Sequence, residues 1–273
     1  MRGMTNEGMI DMPGASPAPL LEARGLTVRY GGATALDGVD VEVPRGGALG
    51  IVGESGAGKS TLVRVLTGLI EADAGEVRFD GEALPRDPRR RTREQRRRIQ
   101  MVFQNPDSSL NPRHTVRRIL AEGMVLHSVV ARADHEGIER RCVRLLNMVG
   151  LPADALDRRP HAFSGGQRQR IAIARALGVE PEVLVADEPT SALDVSVQRG
   201  VLDLLAALRR ERGLAVVLIT HDLGVVADLC DEVAVMRHGR VVCKGATDAF
   251  FADPPQGYPR SLLEAARAVA VRR

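Results

Sequence analysis

Gly53-Glu54-Ser55-Gly56-Ala57-Gly58-Lys59-Ser60-Thr61 decides the fold. Its spacing is G-x-x-x-x-G-K-[ST], that of a phosphate-binding loop between a strand and a helix. The flanks suit that context. Ala48-Leu49-Gly50-Ile51-Val52 is short and apolar like a buried strand, and Leu62-Val63-Arg64-Val65-Leu66 suits a helix. Glycines let backbone N–H groups converge on phosphate oxygens with no side chain in the way. The helix behind them adds unpaired N–H groups and the positive end of its dipole. Lys59 is then expected to reach the β- and γ-phosphates of a nucleotide, and Ser60 to ligate Mg²⁺. Lys59 and Lys244 are the only lysines in a chain rich in arginine. A compact ammonium kept where a phosphate wants one argues against a merely structural glycine turn.

Bulk properties narrow the classes. The chain has 273 residues, 44% hydrophobic and 27% charged, so it is globular and long enough to bury a core. Aromatics are 3% and tryptophan is absent, which leaves little for stacking single-stranded nucleic acid. Thirty-eight basic and 35 acidic residues give a net charge of +3, too close to balance for a general polyanion binder. Cys142, Cys230 and Cys243 include no C-x-x-C pair, so zinc and redox roles are not expected and a reducing compartment is. No apolar leader and no run of 18 apolar residues is visible. Work at a membrane is therefore expected to go through a partner.

Along the chain, residues 1–18 mix methionines and prolines and read as a flexible tail. Strands are expected over 21–30 and 39–43, with Gly31-Gly32 as a turn. Tyr30 ends the first, where its ring either stacks on a purine or is simply half-exposed. Residues 76–79 read as another strand. The arginine run at 86–98 reads as a solvated helical face, with Glu94 and Arg98 paired four apart; a nucleic-acid patch is the alternative. A buried strand over 99–103 ends at Gln104. Residues 114–160 show apolar positions at helical spacing, which places a helical insertion at about 105–178 in an otherwise α/β chain.

Ser164 stands at the N-cap position before Gly165, Gly166 and Gln167. This is a second helix start able to meet an anion, or a capped helix with no ligand. The strand at 183–186 ends in Asp187-Glu188. Neighbouring strand residues face opposite ways, so Asp187 can hold the Mg²⁺ shell while Glu188 polarises a water. Residues 191–194 turn into a helix over 195–210. The strand at 215–220 ends at His221. Strand ends of an open parallel sheet bind ligands, and the phosphate loop, Gln104, Asp187-Glu188 and His221 all fall at such ends. Final strands are expected at 233–236 and 241–244, and a helix at 258–271.

This ordered set resembles the ATP-binding subunit of an ABC transporter over residues 20–260. Walker A is at 53–60, the glutamine loop at Gln104, the signature at 164–167, Walker B ends at Asp187-Glu188, the D-loop is at 191–194 and the switch histidine is His221. The resemblance implies a P-loop NTPase core with an N-terminal antiparallel β subdomain and an inserted α-helical subdomain. The ATPase domain would be 19–261 and a helical tail 262–273. It implies ATP and Mg²⁺ as cofactors. Tyr30 would stack on adenine, Gly53, Glu54, Ser55, Gly56, Ala57, Gly58, Lys59, Ser60 and Thr61 would cradle phosphates, and Ser60, Gln104 and Asp187 would hold the metal. Glu188 would be the catalytic base and His221 the γ-phosphate contact. Ser164, Gly165, Gly166, Gln167 and Asp194 would meet the nucleotide across a head-to-tail pair of ATPase subunits, identical or different.

A finer resemblance is to importers of dipeptides, oligopeptides and nickel. It rests on 104–113 (QNPDSSLNPR), 163–170 (FSGGQRQR) and 220–226 (THDLGVV). The segment 253–263 keeps Tyr258 and the leucines of that subgroup but lacks its histidine. The implied partners are two membrane permeases and, indirectly, an extracytoplasmic binding protein, with the chain on the cytoplasmic face of the inner membrane. Nucleic acid is not expected as a partner. Peptide is the expected cargo, nickel or a metal chelate the alternative.

Overall fold

Glycine turns separate neighbouring strands over residues 19–83. The computed structural model describes residues 10–11, 19–190, 193 and 195–270. Its contacts divide the chain into two units, Met1–Arg90 with Val217–Arg273, and Arg91–Val216. Of the expected tail, only β1 (Ile10–Asp11) lies within the described residues. In the first unit β2 (Pro19–Tyr30) and β3 (Ala33–Pro44) form an antiparallel hairpin closed by Gly31 and Gly32, whose φ values are 51° and 92°. Such left-handed turns suit glycine. Both strands run past the apolar stretches that announce them, because paired polar positions extend the ladder. β4 (Ala48–Val52) is buried throughout and feeds α1 (Lys59–Leu66). β5 (Ala74–Phe79) and β6 (Glu82–Ala83) complete a four-stranded sheet in the order β3-β2-β5-β6. This is the expected antiparallel subdomain, with Leu21, Leu26, Leu36, Val39 and Val43 in its core.

The second unit begins in the arginine run. α2 (Arg93–Arg98) starts with a capping box between Thr92 and Gln95 and leads into β7 (Ile99–Val102). The run is not one solvated face. Arg91 is 5% exposed, and burial, then the Arg96 charge, pushes its pKa down to about 10. The expected Glu94–Arg98 pair does not form. Glu94 pairs instead with Arg97 at 2.7 Å, three residues on, and Arg98 pairs with Glu182, Nη2 to Oε2 at 3.0 Å. Arg97 also donates to the carbonyls of Val179 and Glu180 at 3.0 and 3.2 Å. These arginines fasten α2 to the turn before a distant strand. α3 (Val116–Leu126), α4 (His135–Met148) and α5 (Gly165–Leu177) pack on one another as the helical insertion. Leu120, Met124, Leu146 and Ile173 fill their core. Cys142 is buried there, which pushes its thiol up to about 11 and keeps it protonated. β8 (Val183–Asp187) pairs in parallel with β7, and α6 (Val195–Arg212) follows.

β9 (Ala215–Ile219) carries the chain from the second unit back into the first. Ala215 N–H bonds to Glu182 O at 2.9 Å, and Thr220 N–H to Ile51 O at 3.4 Å. α7 (Leu223–Leu229) is capped by Asp222. β10 (Glu232–Arg237) lies parallel to β4 and antiparallel to β11 (Arg240–Ala246), and β1 pairs in parallel with β11. α8 (Thr247–Ala252) and α9 (Tyr258–Ala270) follow, the last at the place of the helix expected over 258–271. Among the described residues no helix is long and apolar enough to cross a membrane.

Candidate active site

The phosphate-type loop lies in the first unit. Gly53, Gly56 and Gly58 take φ values of 147°, 80° and 101°. A Cβ on Gly58 would stand 2.5 Å from Ala35 O, and one on Gly53 would strike Met236 O. The loop is tied down by its own backbone: Ala57 N–H to Glu54 O at 3.2 Å and Leu62 N–H to Gly58 O at 2.9 Å. It is backed by Gly239, whose N–H meets Ala57 O at 3.1 Å while its carbonyl accepts from Asp37 N–H at 2.9 Å. Lys59 is 7% exposed, and its Nζ donates to Gly53 O and Glu54 O, each at 2.8 Å. A buried ammonium needs hydrogen-bond acceptors, and these two carbonyls supply them. Gly58 caps α1 with no side chain, while Glu54, Ser55 and Ser60 are exposed. Tyr30 is 51% exposed at the end of β2, and His221 is exposed just after β9.

The second unit carries the acids. Asp187 closes β8 and is 9% exposed. Glu188 does not continue the strand. Its φ is 44°, so strand alternation does not set its direction, contrary to the expectation of opposite faces. A non-glycine residue held left-handed costs about 1–3 kcal/mol, and such strain gathers at functional positions. Gln104 Nε2 donates to Glu188 Oε2 at 2.9 Å, so two expected site residues 84 positions apart meet directly. Ser164 and Gln167 form a reciprocal capping box at the start of α5. Gly165 and Gly166 let α6 approach: a Cβ on Gly166 would strike Val197, and one on Gly165 would lie 3.6 Å from Leu193 Cδ2. Asp194 lies outside the described residues.

The oxygens offered suit Mg²⁺. The side chains expected to serve the metal are of the right kind in each unit taken by itself: the Ser60 hydroxyl in the first, the Asp187 carboxylate and the Gln104 amide in the second, all hard oxygen donors. Among the described residues no group of three His, Cys, Asp or Glu is arranged to hold a metal ion.

Three contacts escaped the sequence. Gln169, 1% exposed, donates to Phe103 O at 3.4 Å and steadies the residue before Gln104. Gly239 backs the phosphate loop. Tyr258 Oη accepts from Glu54 N–H at 3.1 Å. Only Tyr258 left a signal, as a residue retained in a segment that otherwise drifts from its subgroup.

The model of the "ABC transporter" family matches residues 36–191. A putative peptide import ATP-binding protein of Brucella ovis is 45% identical over 251 residues, 90% of this chain and 78% of its own length. The dipeptide transport ATP-binding protein DppF of Escherichia coli K12 is 47% identical over 231 residues, 85% of this chain and 68% of its own. Among solved structures, a dimeric post-hydrolysis state of the ATP-binding cassette MJ0796 bound to ADP and Pi superposes with a TM-score of 0.73 at 29% identity, covering 83% of this chain and 98% of that one. The chain belongs to the ABC transporter family, as one of its ATP-hydrolysing subunits.

Proposed function

We propose that the chain powers peptide import. It binds MgATP, pairs with a second ATPase subunit of the same or a similar sequence, and drives two separate permeases from the cytoplasmic face of the membrane. Walker A holds the phosphates through Lys59 and the loop amides. Ser60, Gln104 and Asp187 supply oxygens for Mg²⁺, Tyr30 stacks on adenine, and His221 meets the γ-phosphate. Ser164, Gly165, Gly166 and Gln167, with Asp194, serve the nucleotide held by the partner subunit. Pairing and parting with the γ-phosphate would give the motor its two states.

The observation that carries this reading is Glu188. A strained carboxylate in hydrogen-bond contact with Gln104 suits a base that orients water and senses the metal's ligand. Peptide as cargo is supported by the names of the relatives, which are peptide and dipeptide import subunits. The test uses the chain assembled with its partner ATPase, permeases and binding protein. Glu188→Gln should retain MgATP and slow hydrolysis at least about a hundredfold, with uptake of a labelled dipeptide falling in step. Near wild-type turnover in that variant overturns the base assignment. Stimulation by nickel-loaded but not peptide-loaded binding protein overturns the cargo.

A further inference from the structure

One contact joins the end of the chain to the phosphate loop. In a trans peptide the N–H and the C=O point in opposite directions across one plane. The plane between Gly53 and Glu54 is held on both sides. Its N–H donates to Tyr258 Oη at 3.1 Å, and its C=O accepts from Lys59 Nζ at 2.8 Å. Gly53, with φ at 147° and no Cβ, offers little resistance to turning that plane. The two hydrogen bonds therefore set its direction, and with it the place of the Lys59 ammonium.

Tyr258 is itself fixed. It opens α9, and the Arg237 guanidinium lies 4.7 Å from its ring centroid. Arg237 follows Met236, whose carbonyl abuts Gly53. Further along, Arg260 Nη2 donates to Asp253 Oδ1 at 3.0 Å and to Pro254 O at 2.9 Å. Leu263 is buried, and Arg267 Nη2 donates to Phe251 O at 3.0 Å. Partial burial raises the Tyr258 pKa, so its hydroxyl stays neutral at physiological pH and can accept from an amide.

We propose that Tyr258 is a positioning residue for nucleotide binding: its hydroxyl holds the Gly53–Glu54 peptide so that Lys59 is presented to the phosphates of ATP. The proposal rests on the reading of 53–61 as the ATP loop. A loop ordered before its ligand arrives spares that ordering on binding, so Tyr258 acts on affinity rather than on the hydrolytic step.

The test compares the 273-residue chain with its Tyr258→Phe and Arg267→Ala variants. Tyr258→Phe keeps the ring over Arg237 and removes only the hydroxyl. It should weaken MgATP, read by displacement of a fluorescent ATP analogue, about threefold to tenfold. Turnover at saturating ATP should stay within about twofold, and the thermal midpoint within about 2 °C. Arg267→Ala loosens α9 away from the loop and should lower the midpoint while leaving affinity alone. Equal affinity in wild type and Tyr258→Phe, or equal loss in both variants, overturns the positioning role and leaves the ATP reading standing. Wild-type protein that binds no MgATP overturns both. As a check on the unaltered chain, hydrogen exchange at the Glu54 amide should be at least about tenfold slower than in an open loop. Exchange at the open-loop rate overturns the proposal.

Discussion

Two helices of this protein begin at glycines, and they begin differently. α1 is capped by Gly58 in a left-handed conformation with no side-chain acceptor. α5 is capped by Ser164, whose hydroxyl accepts from Gln167 N–H while Gln167 reaches back to Ser164 N–H. The first start has no side-chain cap of its own. The second satisfies two of its own backbone donors and is stable without a ligand. The difference fits the proposed division of labour: a cradle that keeps the nucleotide, and a prefolded contact that meets it only when two subunits close.

The harshest way to break this contrast is Gly58→Ala. Its Cβ would press on a backbone carbonyl at a φ of 101°, at an expected cost of about 2–4 kcal/mol in urea unfolding together with loss of MgATP binding. An unfolding midpoint and affinity like wild type would erase the distinction between the two starts. Gly166→Ala meets a Val197 methyl group rather than a backbone carbonyl and at no left-handed φ, so a smaller cost of about 1–2 kcal/mol is expected. Ser164→Ala should cost about 1 kcal/mol as a lost cap and also lower ATP turnover in the assembled transporter, measured by phosphate release. Thr92→Ala sharpens that result. It removes the same capping box from the short helix α2, should cost about 0.5 kcal/mol, and should leave turnover unchanged. If both cap variants slow hydrolysis equally, the signature helix has no special role.

The site was most legible where its chemistry is local. The loop at 53–61 announces itself because strand, glycines, lysine and helix follow one another directly, and Ser164 is a cap by the same adjacency. Three strands of the four-stranded sheet and the helices of the insertion were legible from apolar spacing, while the antiparallel sheet itself followed only from the family resemblance. What escaped depends on distant chain. Arg98 finds Glu182 rather than Glu94, a choice set by tertiary packing and not by helical spacing. Glu188 leaves the strand by a positive φ that no period-two pattern announces. Tyr258 reaches Glu54 across 204 residues.

The first unit is built from both ends of the chain, and this orders its assembly in time. Ala48 N–H, at the start of β4, is bonded by Asp231 Oδ2, 183 residues later. At a synthesis rate of about 5–20 residues per second, the ribosome releases β10 some 10–40 s after β4. Throughout that interval the nascent chain carries the loop without the strand that supports it. Long-range pairing of this kind also closes slowly in a free polypeptide. Refolding from denaturant should therefore restore the contiguous second unit first and the ability to hold nucleotide last.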